Sequence, residues 1–129
     1  MMEFGVKTSS RCQMIDITED AQDAVRRSGV SDGICVVYVP HTTAAVTINE
    51  GADPSVCDDI EGTLSKAFPK SPHYRHAEGN ADSHIKTTLV GPSVTIIVRG
   101  GSLCLGTWQA VFFCEFDGPR SRNVWVRVQ

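Results

Sequence analysis

The stretch GTWQAVFFCEF, residues 106–116, constrains the fold more than any other part of the chain. Read as a strand, it places Trp108, Ala110, Phe112, Cys114 and Phe116 on one face, because successive side chains point to opposite sides. The other face carries Val111 and Phe113 among Thr107, Gln109 and Glu115. A strand that is apolar on both faces must be covered on both, so it lies inside a layered domain. SVTIIVR before it and SRNVWVRV after it read as further strands, with turns at Gly100-Gly101 and Asp117-Gly118-Pro119. In the last of these, Val124, Val126 and Val128 alternate with Trp125 and Arg127.

The first half adds helices. RCQMIDIT alternates enough for a strand, and Thr18 before Glu19 and Asp20 predicts a helix N-cap. That helix should run to about Ser28 and stop at Gly29. GICVVYVP is a buried strand ending at Pro40. In HTTAAVTINE, Ala44, Val46 and Ile48 share one parity, while His41, Thr43, Thr47 and Asn49 share the other. One face therefore enters the core and the other presents polar groups.

Asp53-Pro54 predicts a cap and first helical residue, and Val56, Ile60, Leu64 and Phe68 recur every four residues. The expectation is a core helix of about four turns. After a loop over 69–81, ADSHIKTTLVG predicts another short helix, capped by Asp82, with Ile85 and Leu89 facing the core. Strands and helices without regular alternation predict a compact α+β domain over residues 1–129, with β-rich sheets and two to three helices.

Composition excludes some functions. A net charge of −3 argues against nucleic acid as a partner. Five cysteines without Cys-x-x-Cys spacing fit a reducing compartment rather than a disulfide framework. The N-terminus lacks a cationic and apolar leader, and no apolar run approaches the roughly 20 residues of a membrane span. The expectation is a soluble cytoplasmic protein with no membrane partner.

HYRHAEGNADSHIK, residues 73–86, gathers three of the chain's four histidines. A tight turn can bring His76 to His84, and His41 from a distant strand end could complete a three-imidazole metal site. Each of these histidines equally suits an ordinary hydrogen-bonding role, and His73 reads as an exposed bystander. Glu50, Asp53 and Glu115 could each act as base or ligand, although Asp53 already has a capping role. Asn80 before a helix start, with Thr42, Thr43 and Arg120, makes a candidate phosphate or carboxylate site. There is no Walker lysine, dinucleotide loop or nucleophile elbow.

PHTTAAVTINEGADPSV, YRHAEGNADSHIK and GGSLCLGTWQAVFFCEFDGPRSR, with the closing strand, resemble the YjbQ family in order and spacing. The resemblance runs from about residue 10 to the C-terminus. It implies a compact α+β domain that assembles as a homotrimer, with sites in clefts near subunit boundaries. Members are named secondary thiamine-phosphate synthase, for a weak capacity to join a pyrimidine-methyl diphosphate to a thiazole phosphate with loss of diphosphate. Residue by residue, the likeness carries importance onto His41, Glu50, His76, His84, Gln109 and Arg120, and leaves His73 outside the pattern. Gly51 departs from it, standing where many relatives carry a polar residue, and should alter the local turn.

Dedicated thiamine-phosphate synthases are (β/α)₈ barrels of typically about 250 residues, so this chain would carry such an activity on an unrelated site. The expected mechanism has His41, His76 and His84 holding a divalent metal. Zinc is the first choice, with magnesium suited to a diphosphate substrate. Glu50 would support the ligands or act as base, and Arg120 and the backbone near Asn80 would balance phosphate charge. The competing expectations are a non-catalytic module for a metal or a small phosphorylated metabolite, and a metal-dependent small-molecule hydrolase.

Overall fold

The computed structural model describes all 129 residues, as eight strands and three helices. In chain order these are β1 (Met2–Lys7), β2 (Gln13–Asp16), α1 (Thr18–Ser28), β3 (Gly33–Tyr38), β4 (Ala44–Glu50), α2 (Pro54–Ala67), α3 (Ala81–Val90), β5 (Ser93–Arg99), β6 (Ser102–Leu103), β7 (Gln109–Glu115) and β8 (Ser121–Val128). One antiparallel sheet has the order β1-β8-β3-β5-β6 and the other the order β2-β7-β4. No helix is long and apolar enough to cross a membrane. The expected α+β class is the observed one.

β7 is the middle strand of the smaller sheet, and its two faces enter two different cores. Val111 and Phe113 join the main cluster with Ala21, Val25, Val37, Val46 and Val126, between the sheets and α1. Ala110, Phe112, Cys114 and Phe116 join Ala45 in a second cluster on the sheet's other side. Trp108 departs from the expectation. It precedes the strand and is 64% exposed.

Local signals placed the elements well. Gly29 ends α1 at φ 71°, and Gly100 and Gly101 turn the β5–β6 hairpin at φ 58° and 73°, values that favour glycine. Asp53 caps α2 by accepting the Ser55 N–H at 2.9 Å. At the start of α1 the assignment shifts by a residue. Thr18 is the first helical residue, and Asp16 Oδ1 accepts both its N–H and its hydroxyl. At Gly51 a Cβ would lie 2.6 Å from that of Ala110, so any side chain there needs a local shift of the backbone.

Two helices present unexpected faces. α2 buries none of its residues; Val56, Ile60 and Leu64 are only half-covered and overlook an open cavity, so it is not a core helix. The buried residues of α3 are Asp82, Ser83, Lys86 and Thr87, whereas Leu89 is 57% exposed. Asp82 is no cap. It accepts a two-pronged bond from Arg11 at 3.0 Å for each contact, and Lys86 donates to it at 3.1 Å. A polar face can turn inward because its charges are paired there.

Candidate functional site

Four segments converge at one end of the smaller sheet. The residues before β4 supply Thr42 and Thr43, and the 70–80 loop supplies His76, Glu78 and Asn80. α3 adds His84, and the turn between β7 and β8 adds Asp117 and Arg120. These residues line a cleft of about 460 Å³ with no hydrophobic side chain in its wall.

The His76 and His84 rings meet edge to face, with centroids 5.1 Å apart. Glu78 Oε2 lies 3.9 Å from His76 Nε2. Asp117 ties the opposite wall: its Oδ2 accepts from Asn80 at 2.8 Å and from Arg120 at 3.1 Å, while its carbonyl accepts from Arg120 Nε at 3.0 Å. Asn80 Oδ1 is buried without a partner. Arg120 keeps N–H groups free of Asp117, since a guanidinium has five.

Beneath the cleft lies a second charged layer. Arg122 donates to both Glu115 oxygens and to Thr43 Oγ1, the last at 2.8 Å. Glu115 also accepts from Thr8 at 2.8 Å and from the Phe116 and Asp117 N–H groups at 3.1 Å. Burial raises the Glu115 pKa, but the Arg122, Asp117 and Thr8 bonds outweigh that and hold it below the usual range. This saturated carboxylate fixes the cleft floor and has no lone pair to offer as base or ligand. Its partner was legible in part: Arg122 shares parity with the buried Val124 and Val126.

Six of the nine expected site residues meet in the cleft: Thr42, Thr43, His76, Asn80, His84 and Arg120. His41 does not. Its Nε2 accepts the Asn123 N–H at 3.0 Å, which orients the ring toward β8 instead. Burial, then the charge of Arg122, lower its pKa and favour the neutral ring. The expected three-imidazole set is therefore not assembled within one chain, and no group of three His, Cys, Asp or Glu is placed to hold a metal ion.

Glu50 and Gln109 also lie elsewhere. They are register partners at the far end of β4 and β7, seven residues from Thr43, or roughly 20 Å along the strand. There Glu50 accepts the Ala52 N–H and Gln109 accepts the Gly106 N–H, each at 2.8 Å. Asp117 and Glu78 are the cleft residues that sequence reasoning missed. Asp117 stood in a recognised turn, where its side chain looked incidental.

The sequence matches the family model described as UPF0047 protein YjbQ-like over residues 2–129. The chain belongs to the YjbQ/UPF0047 family. The match includes β1, which the sequence resemblance had left out. A UPF0047 protein of Methanocaldococcus jannaschii is 52% identical, covering 99% of this chain and 93% of the relative. The UPF0047 protein YugU of Bacillus subtilis is 44% identical, covering 95% and 94%. A crystal structure of a YjbQ/UPF0047-family protein from Clostridium acetobutylicum superposes with a TM-score of 0.98 at 53% identity, covering 100% of both chains. A YbjQ-like protein from Sulfolobus solfataricus reaches 0.94 at 33% identity, covering 98% of this chain and 94% of that one. The YjbQ/UPF0047 fold thus accounts for the whole of this chain.

Proposed function

We propose that the polar cleft binds a small phosphorylated metabolite, with Arg120, Asn80 and Thr42 taking the phosphate and the His76–His84 pair facing it. One observation carries the reading. A cleft without a single apolar wall residue holds two imidazoles and a guanidinium with free N–H groups. Such a lining suits a charged, hydrogen-bonding ligand.

Imidazole donors suit zinc. His76 and His84 would supply two ligands, with Glu78 beside His76 as a carboxylate within reach of rotation. Two imidazoles fit a cation shared with phosphate oxygens, and do not fit a zinc held by three histidines of one chain. Bound there, a cation would polarise a phosphate oxygen; magnesium would serve a diphosphate in the same way. The chain's own contribution is to orient the phosphate through Arg120 and Asn80.

The reaction this favours is the weak thiamine-phosphate synthase transfer implied by the family resemblance, both of whose reactants carry phosphate. A second reading, a binding module without catalysis, is favoured by the remoteness of Glu50 and Gln109 and by the bonds that occupy Asp117. A third, metal-dependent hydrolysis of a small phosphate ester, would use the same residues. Incubation with the pyrimidine diphosphate and thiazole phosphate, with product followed chromatographically, separates them. Transfer product lost in His84→Ala supports the synthase, and inorganic phosphate release supports hydrolysis. Saturable binding with no product leaves the binding module.

A homotrimer is part of the proposal. Ile34 and Ile97 face each other on the outer side of the larger sheet, 36% and 61% exposed, beside stacked Tyr38 and Trp125. That apolar face supports burial against further copies. Five free cysteines support a reducing compartment, the cytoplasm.

A further inference from the structure

Three concavities follow one another along α3, and each shares a residue with the next. His84 lines both the polar cleft and a shallow groove formed with Ile85, Thr88 and Leu89. Leu89 in turn lines both that groove and an apolar cavity of about 630 Å³ beneath α2. From His84 to Leu89 the helix rises only about 7.5 Å.

The other walls run on in the same way. Thr43, just before β4, stands in the cleft and Thr47 of β4 in the cavity, four residues or roughly 13 Å apart along the extended chain. Asp117 of the cleft directly follows Phe116 of the cavity. The cavity has the size of a small-molecule pocket, roughly 300–1,000 Å³, and the composition of one: mainly apolar with a few polar groups, Asn49 and Thr63 among them. Its far wall is the α2 stripe of Val56, Ile60 and Leu64, in a helix with no buried residue. An occupant would give that stripe the cover the fold alone does not.

We infer that the cleft and the cavity are the two halves of one site, and that its ligand is an amphipathic phosphate monoester. The phosphate sits at Arg120 and Asn80, and the apolar body passes Leu89 into the space under α2. This rests on the anion reading of the cleft and adds the class of group attached to the phosphate. It separates the work of the halves: the cleft recognises the charge, and the cavity selects by length and hydrophobicity.

The test is calorimetric titration of the full chain with inorganic phosphate and with methyl, butyl and octyl phosphate, beside 1-octanol. A buried methylene contributes about 0.8 kcal/mol, or about fourfold in affinity. Octyl phosphate should therefore bind at least about a hundredfold more tightly than methyl phosphate. Leu89→Asp, at an exposed position that the fold does not need, should abolish that gain and leave methyl phosphate unaffected. Ile60→Asn on α2 should do the same, independently of α3.

Methyl and octyl phosphate binding alike would overturn the inference and leave the cleft proposal standing. Octanol binding as tightly as octyl phosphate would overturn it by making the cavity a separate site. Loss of self-association in Leu89→Asp, with no dependence on chain length in wild type, would assign the cavity to a second copy and overturn it too. If no phosphate species binds at all, the cleft proposal itself falls.

Discussion

Arg122 and Glu115 form an ion pair whose side chains are 3% and 0% exposed, and the same guanidinium holds Thr43, a wall of the polar cleft. The cleft therefore stands on a buried charge pair rather than on an apolar floor. Removing one member leaves the other unpaired in the interior, at a cost of about 3–5 kcal/mol. Glu115→Ala should lower the urea midpoint accordingly, and Glu115→Gln, which keeps part of the hydrogen bonding, should lower it less. Equal midpoints for wild type and Glu115→Ala would show that the pair contributes nothing.

Asp82 makes acid stability testable at one residue. Burial would raise its pKa, but Arg11 and Lys86 overcome that and hold it at about 2, against 3.8 for the free side chain. A depressed carboxylate contributes fully above its unfolded pKa and loses that contribution as pH falls toward the folded one. The window is therefore pH 3.8 down to about 2, and the amount about 2 kcal/mol. Asp82→Asn should flatten this part of the stability curve measured by denaturant titration. A mutant curve as steep as that of wild type would place the effect on other carboxylates.

The histidines should separate in a metal assay. His76→Ala and His84→Ala should each lower zinc bound by the untagged protein at least tenfold, read by element analysis after dialysis. His73→Ala should match wild type, and so should His41→Ala, because its Nε2 is already taken by Asn123. Zinc loss in His41→Ala would bring that residue into the site from another copy. Zinc binding should weaken in acid, since ligation needs the neutral ring.

Arg120 and Asp117 should act on phosphate in opposite directions. A charge-assisted bond contributes roughly 1.5–3 kcal/mol, so Arg120→Ala should weaken inorganic phosphate about ten- to a hundredfold. Asp117→Asn removes the carboxylate competing for that guanidinium and should tighten it. Phosphate affinity unchanged in both folded variants would remove this wall from the anion site.

The outer sheet face makes a prediction about assembly. The 14.0 kDa chain should sediment at three times that mass. Ile97→Asp, at a 61% exposed position, should shift it toward the monomer without unfolding it. A wild-type monomer at micromolar concentration would contradict the trimer.

α3 shows where sequence reasoning stopped. Its helix and its end at Gly91 were readable, but the face was inverted: Ile85 and Leu89 were expected inside, and Asp82 and Lys86 are there instead. The pattern shows Lys86 one turn from Asp82 but not Arg11, 71 positions away, whose two-pronged bond completes the pairing that lets this face turn inward. The α2 stripe was readable too, while the opening beneath it was not, since periodicity reports an apolar face and says nothing of what covers it.

What the sequence determined by itself was local. It set the two apolar faces of β7, the turns at Gly29 and Gly100-Gly101, and the cap at Asp53, because alternation and backbone conformation act between near neighbours. Only the tertiary structure decided which polar residues share a cleft. Thr43 stands just before β4 and Glu50 at its end, so strand rise carries them to opposite ends of the sheet. His76 and Arg120, far apart along the chain, come together because loop closure and the turn after β7 meet above the Arg122–Glu115 pair.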